Sequence, residues 1–420
     1  MCPFLRAEVY NYSPRSRPPG VGRFEIRVAS VLKFRRMKPG AMSLALTVCA
    51  ALALSVTAVV KAQSPASPAD GIVLAEQYFK NIQVLKGIPV DEFMDTMGMF
   101  AAATGMNCVD CHVGDAGGDW AKYADDTAFK RTTRRMVTMV DTLNAGSFGG
   151  RRMVTCFTCH RGLKVPATLP NLDLQYGEPP PVDPDQITQA TPGAPTAEQI
   201  LNTYLQALGG AQPVAAVTSI TGKGTYRAYD DFQTSPFDFY AKAPDQRTTV
   251  QHSPYGDMTI TYDGKSAWMA APPDIRPFPV VQYSGGNLDG ARIDALLDFP
   301  GRLRQALTNW KVGPESTVDD KDVQIVQATL PTGPLVKLYF DSNTGLLLRS
   351  VRYSDSPVGR VPVRVDYSDY RTVSGVKLPF KWVTTWTDGR TVFQLDSVQL
   401  NTTVDPMRFA KPKPPVAPKR

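Results

Sequence analysis

Two short segments of the chain place two cysteines and a histidine at the same spacing. The first reads "GMNCVDCHVG" over residues 105–114, and the second reads "MVTCFTCHRG" over residues 153–162. Both contain Cys-x-x-Cys-His, in which two thiols add to the vinyl groups of a haem and the adjacent imidazole binds its iron. The sequence therefore predicts two covalently bound haem c groups, held by Cys108, Cys111, His112, Cys156, Cys159 and His160.

The cysteine count supports this interpretation. The chain has six cysteines, and the remaining two, Cys2 and Cys49, lie in an N-terminal presequence. A four-cysteine zinc site is one alternative, but the 44 residues between Cys111 and Cys156 exceed the usual zinc-ribbon spacing. A pair of disulfides is another alternative. Neither accounts for a histidine directly after each pair of cysteines.

The histidine count limits the sixth ligand of each iron. Only His252 lies outside the two motifs, so one chain cannot supply histidine on both faces of both haems. Methionine thioethers are the natural alternative, although methionine also serves as core filler. The methionines cluster before the motifs, at Met94, Met97, Met99, Met106, Met136, Met139 and Met153.

A helical pattern precedes each motif and can carry such a ligand. The first helix begins near Pro89 and Asp91 and ends at Gly105. The second ends at Gly146, and its apolar positions form one stripe that consists of Phe129, Thr133, Met136, Val140 and Leu143. Each helix can lay one methionine over the haem face opposite the histidine.

Several of these segments resemble the cytochrome c subunit of photosynthetic reaction centres. They are "KNIQVLKGIP", "GMNCVDCH", "RRMVTMVDTLNAG" and "VTCFTCHRG", and the resemblance covers about residues 75–170. It implies that Met97 and Met136 are the axial methionines opposite His112 and His160. The family's subunit has four haem motifs whereas this chain has two, and this chain lacks the lipid-anchor cysteine of many members. The resemblance therefore implies electron transfer but not docking to a reaction centre.

The presequence carries the basic charge of the chain. Residues 1–61 hold ten Lys and Arg and two acids, so the remaining residues have a net charge near zero and nucleic-acid binding loses its main support. An apolar run over residues 41–60 and the tripeptide Val60-Lys61-Ala62 predict a signal peptide within residues 1–62. We expect an exported, periplasmic protein. The alternative is an uncleaved segment that anchors the protein to the membrane.

The pattern changes after the predicted dihaem domain, which spans residues 63–170. A Pro-rich linker follows over residues 171–195, across which we expect few contacts. Residues 196–408 alternate with a period of two and have Asp-Gly turns, which predicts an antiparallel β domain with a few helices. Residues 409–420 form a Pro/Lys tail.

The β domain resembles exported lipoprotein carriers in phrases such as "YFDSNTGLLLR", "VSGVKLPF" and "VQLNTTVDPMRF". That resemblance implies a curved open sheet, or half-barrel, around a hydrophobic cavity that binds an apolar ligand. The alternative role of this domain is to dock or position the cytochrome.

The predicted fold class is therefore α+β multidomain, with an all-α dihaem cytochrome c domain before an antiparallel β-sheet domain. The predicted function is one-electron transfer between redox partner proteins through two Met/His-ligated haems, and no enzyme activity is expected. One alternative is a peroxidase-like haem enzyme, which needs an open axial position. The other is an apolar-ligand-binding protein whose haems report redox state.

Overall fold

The computed structural model describes residues 71–113, 119–172, 186–229, 231 and 233–415. The predicted signal peptide and most of the predicted linker lie outside the described residues. Among the residues that are described, no helix combines the length and the apolar composition that a membrane span requires.

The segment with both cysteine motifs is helical. Helix α2 (Val90–Thr104) follows Pro89, has Asp91 in its first turn and ends where Gly105 adopts a left-handed φ of 66°. Helix α4 (Ala128–Ser147) begins after Thr127, whose hydroxyl accepts a hydrogen bond from the Lys130 N–H. The helices here are α1 (Ala75–Tyr78), α2 (Val90–Thr104), α3 (Cys108–Cys111), α4 (Ala128–Ser147) and α5 (Cys156–His160), with a 3-10 turn at Trp120–Ala124.

The second half of the chain forms an antiparallel sheet of 14 strands within the described residues. Its helices are α6 (Ala197–Ala207), α7 (Ala211–Ala215), α8 (Gly285–Leu297) and α9 (Leu303–Ala306). The strands are β1 (Ser219–Ala228), β2 (Ser235–Lys242), β3 (Gln246–Ser253), β4 (Gly256–Tyr262), β5 (Ala267–Ala270), β6 (Val280–Gln282), β7 (Thr308–Val312), β8 (Ser316–Val318), β9 (Lys321–Thr329), β10 (Leu335–Asp341), β11 (Leu347–Ser356), β12 (Gly359–Val373), β13 (Val376–Trp386) and β14 (Gly389–Leu400). The predicted α+β fold class is confirmed.

The sheet consists of two meanders joined in the middle. Its order is β6-β5-β4-β3-β2-β1-β14-β13-β12-β11-β10-β9-β7, with β8 paired to β9. The first and last strands, β1 and β14, are therefore neighbours. Because consecutive strands run in opposite directions, the β5–β6 loop, the β11–β12 turn and the β13–β14 turn lie at the same end of the sheet.

One face of the sheet is covered by helices α6 and α8. Their buried side chains pack in one cluster with strand residues, among them Tyr204, Leu208, Ile293, Leu296, Phe237, Phe239, Trp382 and Phe393. The cavity left on this face has a volume of about 70 Å³. That volume is small beside the few hundred Å³ of a typical ligand pocket.

Helix α2 packs directly on the β domain. Asp91 accepts hydrogen bonds from the Ser284 N–H at 2.7 Å and the Ser284 hydroxyl at 2.8 Å, at the N-terminus of α8. Asp95 accepts from Asn287 Nδ2 at 2.9 Å. The expectation of few contacts between the two parts is wrong, because linker composition says nothing about contacts made elsewhere in the chain.

Apolar side chains extend this contact on both sides. Met99 of α2 packs with Val358 and Val361 of the β11–β12 hairpin and with Val137 of α4. At the start of α2, Val90 packs against Phe278 and Val281. We call this surface between α2 and the β domain the α2 seam.

The α2 seam makes stability depend on pH. Burial raises the pKa of Glu92 to about 7, with Asp91 and Asp95 adding to the shift. Between about pH 4 and pH 7 Glu92 therefore binds more protons in the folded protein than in the unfolded chain, so its contribution to stability falls as pH rises. We expect Glu92→Gln to raise the free energy of unfolding by about 1 kcal/mol at pH 8 and to change it little at pH 4.

Denaturant unfolding of the haem-loaded protein at the two pH values measures this effect. The magnitude is kept small because Glu92 lines an open cleft of about 670 Å³, where water screens its charge. Glu198→Gln, at an exposed position of α6, is the matched control. A Glu92→Gln protein no more stable than wild type at pH 8 would contradict the prediction.

Candidate functional site

The first cysteine motif forms one capped helical turn, α3. The Asn107 side chain accepts from the Asp110 N–H at 3.1 Å, and the Asp110 carboxylate accepts from the Asn107 N–H at 2.8 Å. Cys108 and Cys111 carry free thiols, and their spacing of three places both on one face of the turn. The turn thus presents two thiols side by side, as attachment to two vinyl groups requires.

The second motif is built in the same way. Thr155 and Thr158 cap α5 reciprocally, each hydroxyl accepting from the other residue's N–H, at 3.3 and 3.0 Å. Burial raises the pKa of the Cys156 thiol to about 11, while Cys159 is exposed. Arg161 then ends the helix in a left-handed conformation, directly after His160.

The two motif histidines make the same hydrogen bond. His112 Nδ1 lies 3.0 Å from the Tyr123 carbonyl oxygen, and His160 Nδ1 lies 2.9 Å from that of Leu163. A carbonyl only accepts, so Nδ1 carries the hydrogen in both rings and the Nε2 lone pair is left to bind a metal. The Tyr123 ring also packs on the His112 ring, with 4.6 Å between centroids. The donor set therefore fits the proximal side of a haem iron.

Helix α4 shows an apolar face to solvent. Of the predicted stripe, only Val140 is buried, together with Val137 and Asn144 on the neighbouring face. The exposed apolar residues are Phe129, Met136, Met139 and Leu143. Spacings of three and seven residues place them along one side of the helix. An apolar macrocycle lying against α4 would cover this side, which again fits a haem.

The methionines fall into two groups. Met99, 7% exposed, belongs to a buried cluster, and Met94 packs beside the cluster around Phe278. Met97 is partly exposed on α2, and Met136 is 41% exposed on α4. The two methionines that the resemblance implies as ligands are therefore not taken up by the core.

The two cysteine motifs are linked through backbone contacts. The Gly162 N–H donates to the Ala103 carbonyl at 2.8 Å, which joins the end of α2 to the segment after His160. A Cβ on Gly105 would lie 2.3 Å from the Gly162 oxygen, so this crossing requires glycine. The Thr127 hydroxyl donates to the Cys111 carbonyl at 2.5 Å and so ties α3 to the start of α4.

His252, the third histidine, lies about 90 residues after the second cysteine motif, in the β domain. On strand β3 its Nδ1 is 2.8 Å from Asp257 Oδ1 and its Nε2 is 3.3 Å from Asp238 Oδ2. Its two ring nitrogens are thus engaged with carboxylates of the sheet.

Comparison with known proteins finds relatives of the helical part of the chain. Residues 40–205 match the family model of the photosynthetic reaction centre cytochrome c subunit. The resemblance is confirmed. The Thermochromatium tepidum subunit is 39% identical over 108 residues, which are 24% of this chain and 25% of that protein. The Roseobacter denitrificans subunit is 32% identical over 115 residues, 26% of this chain and 30% of that protein. The chain thus matches under a third of the length of either relative.

The β domain has solved counterparts with low sequence identity. One is a LolA superfamily protein from Nitrosomonas europaea, with 14% identity, 52% of this chain and 99% of that chain covered, and a TM-score of 0.35. Another is a putative outer membrane lipoprotein-sorting domain from Vibrio parahaemolyticus, with 11% identity, coverage of 50% and 97%, and a TM-score of 0.35. The strand pairing within the sheet defines the architecture of the β domain.

Sequence reasoning missed the residues by which the β domain reaches the motifs. Asp91 was expected only to mark the start of α2, and the partners of Asp91 and Asp95 lie almost 200 residues away along the chain. Gly98, inside α2, is the one local signal, since glycine in a helix interior lowers helix propensity and marks a close approach.

The position of Met99 leads to a stability prediction. We expect Met99→Ala to lower the free energy of unfolding by about 2–4 kcal/mol, because the cavity would lie in a cluster closed by Val137, Val358 and Val361. Denaturant unfolding of the haem-loaded protein measures it. Met407→Ala, at a side chain 72% exposed, is the control and should have little effect. A loss below about 1 kcal/mol would show that Met99 is not part of a packed core.

Proposed function

We propose that the protein is an exported dihaem c-type cytochrome that transfers one electron at a time. The observation that carries the proposal is the repeated hydrogen bond from a motif histidine to a backbone carbonyl, in two separately capped CxxCH turns. A four-cysteine zinc site or a pair of disulfides would leave both histidines without a ligand role. The family match over residues 40–205 supports the same conclusion.

The residues would divide into two sets of equal composition. The thiols of Cys108 and Cys111 would anchor the first haem, with His112 and Met97 on opposite faces of its iron. Cys156, Cys159, His160 and Met136 would do the same for the second. A bound haem supplies an iron that alternates between the ferrous and ferric states. Side chains that fill both axial positions favour electron transfer over chemistry on a bound substrate.

The alternatives receive less support. A peroxidase-like enzyme needs an open axial position, and each motif here is preceded by a helix that carries a partly exposed methionine. An apolar ligand in the β domain would enter a cavity of about 70 Å³ whose lining includes Arg247 and Asp298. Arg247 donates to both Asp298 oxygens at 2.7 Å, so this lining is charged as well as narrow.

The proposed setting is the periplasm, reached through the signal peptide predicted within residues 1–62. The partners are a redox protein that donates electrons and another that accepts them. An uncleaved signal segment would keep the protein at the membrane surface, and sequencing the N-terminus of the purified protein distinguishes the two forms.

The proposal requires two covalent haems per chain. In cells that mature c-type cytochromes, we expect a polypeptide mass raised by two haems that acid acetone does not extract, because four thiols lie in two motifs. Intact mass spectrometry measures it. The variant with Cys156→Ala and Cys159→Ala should retain one haem. A wild-type polypeptide without covalent haem would refute the proposed function.

The axial methionines give a second measurement. We expect Met97→Ala and Met136→Ala each to remove the Met–iron charge-transfer band of one haem and to lower its potential, because a thioether ligand favours the ferrous state. Redox titration followed by absorbance tests this, with Met139→Ala and Met153→Ala as matched controls. If Met139→Ala has the effect expected of Met136→Ala, the ligand lies one helical turn further along α4.

A further inference from the structure

The β13–β14 turn contacts α2 beside Met97. Gly98 is buried, and a Cβ at this position would lie 2.6 Å from Thr387 Oγ1 and 2.9 Å from Asp388 Oδ1. Both distances are too short for a real Cβ, so the turn and the helix approach closely because residue 98 has no side chain. The turn therefore fixes α2 at the position next to the proposed axial ligand.

The β5–β6 loop, residues 271–279, reaches the same motif from its histidine side. Trp120 Nε1 donates to the Pro273 carbonyl at 2.7 Å. Trp120 packs on Tyr123 with 5.1 Å between ring centroids, and Tyr123 packs on His112 and accepts its Nδ1 hydrogen. A continuous series of contacts thus joins the loop to the proposed proximal imidazole.

Charged groups from both regions lie near the first cysteine. Burial raises the pKa of the Cys108 thiol, the negative charge of Asp388 raises it further, and Arg276 acts in the opposite direction. Asp388 belongs to the β13–β14 turn and Arg276 to the β5–β6 loop. Asp388, whose Oδ1 also lies against Gly98, therefore brings a negative charge beside the helix that carries Met97.

We propose that the β13–β14 turn and the β5–β6 loop form a wall of the first haem site and hold Met97 and His112 in place. This inference rests on the proposed function, since it assigns a role to β-domain residues toward a haem carried by Cys108 and Cys111. Gly98, Thr387, Asp388 and Trp120 are positioning residues. The β domain is then a structural part of the cytochrome.

Enlarging residue 98 in the full-length, haem-loaded protein tests the wall. We expect Gly98→Leu to remove the Met–iron band that Met97→Ala removes, or to shift the potential of that haem, because the added side chain must displace the Thr387 and Asp388 side chains or push α2 from the turn. The signals of the second haem should change less than those of the first, because α2 meets the second motif more than one turn further along, at Ala103. Ala211→Leu, at an exposed position of α7 in the β domain, is the control and should leave both haems unchanged.

A change of charge without a change of shape gives an independent test. We expect Asp388→Asn to raise the potential of the first haem, because a nearby negative charge stabilises the ferric state, and to leave the second haem unchanged. Asp396→Asn, exposed on β14, is its control. If the Gly98→Leu protein does not acquire its haems, the potential of the first haem in Asp388→Asn tests the proposed wall.

The outcomes separate the two proposals. Suppose that both variants, Gly98→Leu and Asp388→Asn, carry two haems and that their first haem keeps its wild-type band and potential. This result overturns the proposal that the two loops form a wall of the first haem site. A wild-type protein without covalent haem instead overturns the proposed function, and mass spectrometry of the wild type shows this before any variant is measured.

Discussion

The close packing of helix α2 against the end of the β-sheet is the contact on which the arrangement of both motifs depends. Residues on different faces of α2 contact different parts of the protein. Met99 enters a core shared with α4 and the β11–β12 hairpin, and Gly98 admits the β13–β14 turn. The end of the same helix meets the segment after the second motif through Ala103 and Gly162. A displacement of α2 would therefore disturb both cysteine motifs and the sheet together.

The polar part of this contact is costly, and hydrogen bonds offset some of the cost. Burial raises the pKa of Asp91 and raises that of Asp95 to about 6, which means that water would hold their charges better than the seam does. Against this, Asp91 accepts hydrogen bonds from the N–H and the hydroxyl of Ser284 at the N-terminus of α8. The helix dipole favours a negative group at this position. Such a contact is specific in direction, because a shift of α2 by one turn would leave buried carboxylates without donors.

Local signals predicted local structure well. Pro89 and Gly105 delimit α2, as expected from residue type and spacing. The Asp-Gly pair at 388–389 lies at the turn into β14, so the antiparallel meander was also visible in the sequence. The identity of the haem-binding residues remains a prediction that rests on motif, resemblance and histidine geometry.

Two features that local patterns did not predict have one physical origin. The helical period identified the apolar stripe of α4 but could not say what covers it, and only Val140 of that stripe is buried in protein. Likewise, the linker composition favoured two separate parts, whereas Asp91 and Met99 contact residues of the β domain far along the chain. Periodicity reports that a face is apolar, and only the folded chain shows whether its partner is protein or another group.

The position of Asp388 has a consequence for the order of biosynthesis. It lies about 290 residues after Gly98, on the hairpin that includes the last strand of the sheet. A ribosome makes the chain from its N-terminus, so both cysteine motifs exist well before the turn that packs beside the first of them. Until β13 and β14 have been made and β14 has paired with β1, the β13–β14 turn cannot pack on α2, and under the proposed function the thiols of the first motif would be open to the enzymes that attach haem.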